Sequence, residues 1–310
     1  MLRRVLLPLL AAFLGTMSLA AADPIFAPGQ RIGLEPPPGL TLSKKFFGFE
    51  DPDRKVIITI LDLPPRAYAE AETSLFAESR PGVTVKSREM IAFNSGIGTL
   101  VTGDVSANGV TVHKWLLLAS TMTAELGNLA ALVNVEVPEA ARAAYPDAVI
   151  RAALASVTFR PAPIAERLGL LPFKLDDLAG LRVMQVTPGS VILVDGPADD
   201  LIKQGYMVVE VGQGSPSEPD ARARFARDLM SSAPVRDLSL TSSEPMRISG
   251  TPGYETRAQA KGLDGAPISL VQWLRFGTGG FLRIVGVAHT EDWDRLFMRF
   301  RAVRDGVDQR

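Results

Sequence analysis

Cysteine is absent from all 310 residues. That excludes disulfides, a thiol nucleophile, a cysteine zinc site and a lipid-modified cysteine behind the N-terminal apolar segment. Histidine is scarce: His113 and His289 stand alone, whereas a zinc site uses several His or Cys at short spacing. No sign of charge dominates, with 33 basic against 34 acidic side chains. A nucleic-acid surface needs a basic excess. After the first 22 residues no apolar run approaches the roughly 20 residues of a membrane span. Motifs are missing as well. There is no Gly-x-Ser-x-Gly, no Gly-Lys-Ser/Thr behind a phosphate loop, and no calcium loop with alternating acids, a central Gly and a terminal Glu.

What is present begins with a leader. Arg3 and Arg4 precede the apolar run Val5 to Leu14, and Ala20-Ala21-Ala22 offers a cleavage site before Asp23. This is the layout of a cleaved secretory signal, so the expected location is the periplasm of a bacterial cell. Cleavage takes two Arg and no acid from the chain. The 288 residues left of 310 are slightly acidic and, at 46% hydrophobic and 22% charged overall, globular in composition. That length suggests about two domains. Arg160-Pro161-Ala162-Pro163 divides the chain, giving a signal peptide at 1–22, a first domain at 23–162 and a second at 163–310.

The two halves follow one plan. In the first, an extended stretch Arg31 to Leu34 leads past Pro36-Pro37-Pro38-Gly39 to a hairpin, Phe46 to Phe49 and Lys55 to Leu61. Pro64-Pro65 opens a helix with Ala67, Ala71 and Leu75 at four-residue spacing. Strands divided by Asn94-Ser95-Gly96 and Ala107-Asn108-Gly109 follow, and a helix from Asp147 to Ser156 closes the half. In the second, Leu181 to Val186, Val191 to Val194 and Tyr206 to Val211 precede a helix capped by Ser217, with Phe225 and Leu229 as one stripe that Ala226 and Met230 widen. Further strands turn at Ser249-Gly250, Asp264-Gly265 and Gly277 to Gly280. A last helix, capped by Thr290, carries Trp293, Leu296, Phe297 and Phe300 at i, i+3, i+4 and i+7. Each half also carries a Trp on the strand before its last, Trp115 in the first and Trp273 in the second.

This order of strand, hairpin, helix, meander and helix, with its single late Trp, resembles the PsbP-like fold in tandem. The resemblance implies an α+β class, with two similar domains that are each a mainly antiparallel sheet packed with helices. It also implies proteins that bind or scaffold other proteins and share no catalytic centre. No functional residue carries over.

The residues themselves offer few sites. His113 shares a strand face with Trp115, and its expected role is a half-buried strand residue rather than a ligand or general base. His289 is expected in a loop. The acidic clusters Glu50-Asp51-Asp53, Asp176-Asp177 and Asp199-Asp200 read as turns and caps. Gly212-Gln213-Gly214 reads as a turn. Arg295, Arg299 and Arg301 on the last helix form a candidate partner surface for acidic groups, against the alternative of a solvated face that complements the helix dipole. No cofactor or metal is expected. The leading functional expectation is a non-enzymatic binding or scaffolding protein of the cell envelope, whose partner is a protein or envelope component rather than nucleic acid. Its alternatives are a hydrolase or other enzyme with a site between the domains, and a carrier of a small ligand or lipid.

Overall fold

The computed structural model describes residues 23–76, 83–107, 109–124 and 126–309. The leader at 1–22 lies outside the described residues. The rest forms two compact units, one of residues 23–27 and 31–161, the other of 28–30 and 162–310. No helix among the described residues is long and apolar enough to cross a membrane.

The first unit contains β1 (Ile25–Phe26), β2 (Ile32–Leu34), β3 (Thr41–Leu42), β4 (Gly48–Asp51), β5 (Val56–Leu63), α1 (Pro65–Phe76), β6 (Val83–Phe93), β7 (Gly96–Ala107), β8 (Val110–Thr123), β9 (Gly127–Pro138), α2 (Asp147–Ala155) and β10 (Thr158–Phe159). Its main sheet has seven antiparallel strands in the order β3-β4-β5-β9-β8-β7-β6. The second unit contains α3 (Ile164–Gly169), β11 (Phe173–Leu175), β12 (Arg182–Thr187), β13 (Ser190–Val194), β14 (Tyr206–Gln213), α4 (Pro219–Ser231), β15 (Arg236–Ile248), β16 (Thr251–Lys261), β17 (Pro267–Phe276), β18 (Gly280–His289), α5 (Trp293–Asp305) and β19 (Val307–Gln309). Its seven-stranded sheet runs β12-β13-β14-β18-β17-β16-β15. The two orders are the same: three strands, a helix, four strands, with the seventh strand beside the third, then a closing helix. Both units are sheet-rich and their helices are few.

Strand alternation sorts each sheet into two faces. In the first unit Trp115, Leu117 and Ala119 on β8 turn inward and are buried with Ile150, Ala153 and Leu154 of α2. In the second, Val271 and Trp273 on β17 are buried with Leu296, Phe300 and Val303 of α5. The other face of the second sheet carries Ile268, Leu270, Leu274 and Phe276, roofed by Ala226 and Met230 of α4.

Two local expectations change. Ser217 does not cap α4; the helix starts with Pro219 at its first turn, behind Glu218, without a side-chain cap. Proline needs no acceptor for an N–H and presets the helical φ, so the cap is dispensable. The buried stripe of α4 is Ala226 and Met230, while Phe225 and Leu229 flank it. Thr290 likewise belongs to a short 3₁₀ turn, Thr290–Asp292, that precedes α5 rather than capping it.

Candidate functional site

The outer face of the first sheet is its most unusual surface. Leu61, Val83, Val85, Met90, Ile97, Val110 and Met122 are between 38% and 77% exposed. Strand register places all seven on one face. Met90 lies opposite Thr99, which lies opposite Leu118, and Leu118 lies opposite Leu132, which faces Leu61. Val85, Val110 and Met122 fall on the same alternation, with the buried Val101 and Leu118 between them. Contiguous exposed apolar surface of this kind marks interaction sites. In the second unit the equivalent strands β15 and β16 are covered by α4. In the first unit the equivalent helix, α1, packs instead over β5, β8 and β9, where Ser120 donates to the Tyr68 hydroxyl at 3.5 Å. The stretch over β6 and β7 is thus left without a helical roof by the described residues.

The inner face of the same sheet holds a polar cluster at its end. His113 is buried, yet both ring nitrogens have carboxylate partners. Nδ1 is 2.7 Å from Asp104 Oδ1 and Nε2 is 2.5 Å from Glu139 Oε2. Asp104 faces His113 across the β7–β8 hairpin, and Glu139 arrives on the 3₁₀ turn Glu139–Ala141 that follows β9. Lys86 sits in a β-bulge between Val85 and Ser87 and reaches Asp104 Oδ2 at 2.6 Å; bulges re-aim side chains in this way. The Trp115 indole N–H donates to Asp147 Oδ1 at 2.8 Å, and Arg151 donates to Asp147 Oδ2 at 2.6 Å.

These partners set the carboxylate chemistry. Burial alone raises the Asp104 carboxyl, but hydrogen bonds from Lys86 and His113 outweigh it and hold the pKa below the ordinary aspartate value. At Asp147 the same contest is won by the Trp115 indole and Arg151. Carboxyls held low are permanent anions near neutral pH, whereas a general acid needs its pKa raised. Lys86, Asp104, His113, Trp115 and Asp147 of this cluster line a cavity of about 330 Å³, together with Thr102, Lys114, Arg142 and Pro146.

The other sequence candidates lie elsewhere in the fold. Arg295 Nη2 lies 2.8 Å from Asp195 Oδ2, and Arg299 pairs with the same carboxylate while donating to the Ala179 carbonyl at 2.7 Å. Burial raises the Asp195 carboxyl, and the two arginines overcome that and bring it below its ordinary value. Arg301 is exposed on α5. His289 ends β18, with its Nε2 3.1 Å from the Ile202 carbonyl. Asp51 departs from a solvated turn: it is buried, accepts from the Tyr145 hydroxyl at 2.7 Å and pairs with Arg54 at 3.1 Å. Asp177 and Asp200 accept from the backbone N–H groups of Ala179 and Ile202. Among the described residues no group of three or more His, Asp or Glu is placed to hold a metal ion.

No family model matches the chain, and no curated protein matches it. Solved structures do. Cyanobacterial PsbP (CyanoP) from Synechocystis sp. PCC 6803 is similar at 16% identity and a TM-score of 0.34, over 45% of this chain and 87% of its own. The Ran-binding protein Mog1p of Saccharomyces cerevisiae is similar at 10% identity and a TM-score of 0.33, over 44% of this chain and 90% of its own. The immunity protein TplEi of Pseudomonas aeruginosa matches over 94% of this chain and 99% of its own, at 12% identity and a TM-score of 0.30.

Proposed function

We propose that the chain is an exported, non-enzymatic binding protein of the cell envelope that docks a protein partner on the outer face of its first sheet. The observation that carries this reading is the set of seven exposed apolar side chains on one face. Burying them would release apolar surface from water at about 25 cal/mol per Å². The second unit supplies a template for the occupant, because α4 lays an amphipathic helix across the equivalent strands. A partner helix with apolar residues at i, i+3 and i+4 matches that geometry. Export rests on the leader Arg3-Arg4, Val5 to Leu14 and Ala20-Ala21-Ala22. We also read each unit as a copy of the PsbP-like plan, on the identity of the two strand orders.

The test places a photo-crosslinking residue at Met90 or Ile97 in cells that make the full chain, with Arg227 on the exposed side of α4 as the control site. The expected result is one protein adduct at Met90 and Ile97, absent at Arg227 and lost when Val85→Lys is added. The same adducts at Arg227, or none at either position, overturns the docking reading. An intact mass starting at Asp23 in the extracted envelope fraction supports export; a mass starting at Met1 in the cytoplasmic fraction overturns it.

A further inference from the structure

The two inner faces differ at one place. Trp115 and Trp273 occupy the same position on the sixth strand of their sheets. Thr102 and Val135 flank the first, Glu255 and Ile284 the second. The closing helices also correspond. Ile150, Ala153, Leu154 and Val157 are buried at the spacing of Phe300, Val303, Arg304 and Val307. On that alignment Asp147 stands where Phe297 stands, and α5 has one more turn at its start than α2, with 13 residues against nine.

In the second unit Phe297, backed by Trp293 of the extra turn, fills the space above the indole. Phe297 stacks on Trp273 at 6.0 Å and Trp293 stacks on Phe297 at 5.3 Å. Arg257 lies over the Phe297 ring at 4.5 Å. In the first unit α2 carries no aromatic residue, and Trp115 and Asp147 line the cavity of about 330 Å³. That is the size range of small-molecule sites.

Its polar groups are unequal. Asp104 and Asp147 are each bonded to two donors. Arg142, 59% exposed, touches Glu139 only at 3.9 Å, and Lys86 Nζ spends one of its three N–H groups on Asp104. The donors still available are cationic. We propose that this cavity binds a small planar organic anion, an aromatic ring carrying a carboxylate. The ring rests against Trp115 and His113 where the second unit places Phe297, and the carboxylate turns to Arg142 and Lys86. The inference concerns the inner face and is independent of docking on the outer one.

The experiment titrates the full chain with 1-naphthoate and with benzoate, followed by tryptophan fluorescence and calorimetry, with benzylamine as the cationic counterpart. The expected result is saturable binding of the carboxylates and none of benzylamine. Arg142→Ala and Lys86→Ala, both at half-exposed positions, are each expected to weaken binding about tenfold or more, the loss of one charge-assisted contact. Asp147→Phe, which rebuilds the aromatic stack of the second unit, abolishes binding, and unchanged circular dichroism separates that from unfolding. Naphthoate that fails to saturate, benzylamine that binds as well as benzoate, or affinity unmoved in both single variants overturns the assignment.

Discussion

Gly286 on β18 lies under the Phe300 ring, and a Cβ built there would sit 2.4 Å from the ring. The first unit solves the same contact the other way round. Val137 holds the position of Gly286, and the ring is replaced by Ile150. Bulk on the helix is met by absence on the strand, and the reverse. Gly286→Ala is therefore expected to cost about 1–3 kcal/mol by overpacking, and Phe300→Ala about 3–5 kcal/mol by leaving a cavity. Urea melts followed by the emission of Trp273 and Trp293 check both. Gly48 is constrained differently. Its φ of +145° and a Cβ position 1.8 Å from the Ile58 carbonyl oxygen leave no room for a side chain, so Gly48→Ala should break the β4–β5 pairing. Tyr145 and Asp51 form a buried pair that joins the chain segment before α2 to β4. Tyr145→Phe leaves a carboxylate without its shortest donor and lowers the urea midpoint, which the same melts record.

Elements were more legible than the contacts between them. The strands holding Trp115 and Trp273 and the i, i+3, i+4, i+7 stripe of α5 follow from side-chain period, whereas the hairpin strand expected at Phe46 to Phe49 stands at Gly48–Asp51 and the short elements α3, β10, β11 and β19 carry no such signal. The pairing of His113 with Asp104 was also within reach. Ala107 pairs with Val110, and Asp104 and His113 each lie three residues further along their strands, so the register sets them opposite one another. Glu139 was not, because it arrives through the β8–β9 pairing and a 3₁₀ turn 26 residues away. The pairing of Arg295 and Arg299 with Asp195, a hundred residues earlier, has no local sign in the sequence. The outer face of the first sheet escaped for a related reason. A strand with apolar residues on both faces reads as fully buried, and only the course of α1 decides which face stays bare. Met90→Lys with Ile97→Lys tests that at the element scale. Binding of a hydrophobic fluorescent dye should fall sharply, while stability moves by less than about 0.5 kcal/mol, as for exposed positions in general.

At the scale of the whole molecule, two cores with separate buried clusters make one global unfolding step the wrong expectation. Gly286→Ala should shift only the transition reported by Trp273 and Trp293. The transition reported by Trp115, isolated by replacing the other two with Phe, should stay in place. The pH dependence follows from the shifted groups. Asp51, Asp104, Asp147 and Asp195 all lie below the ordinary aspartate value of 3.8 in the folded chain. The unfolded state binds their protons more readily, so their stabilisation is complete above pH 4 and is lost as the pH falls further. Burial, reinforced by the Asp51 hydrogen bond, pushes the Tyr145 hydroxyl up to about 12. Its contribution is whole below the ordinary tyrosine value of 10 and is lost as the pH rises toward 12. Melting temperatures across pH 2 to 12 should therefore form a plateau with both shoulders, and Tyr145→Phe should remove the contribution of this group to the alkaline shoulder.

The extra turn of α5 has a wider consequence. Four residues are close to one helical period, so adding or trimming them at a helix start leaves every later side chain on its original side. A repeated scaffold can thus exchange a solid wall for a recess through one helical turn and the residue next to it, Phe297 against Asp147, with both interiors kept. Of the two sheets, one carries stacked rings over its tryptophan and the other a carboxylate beside an open recess.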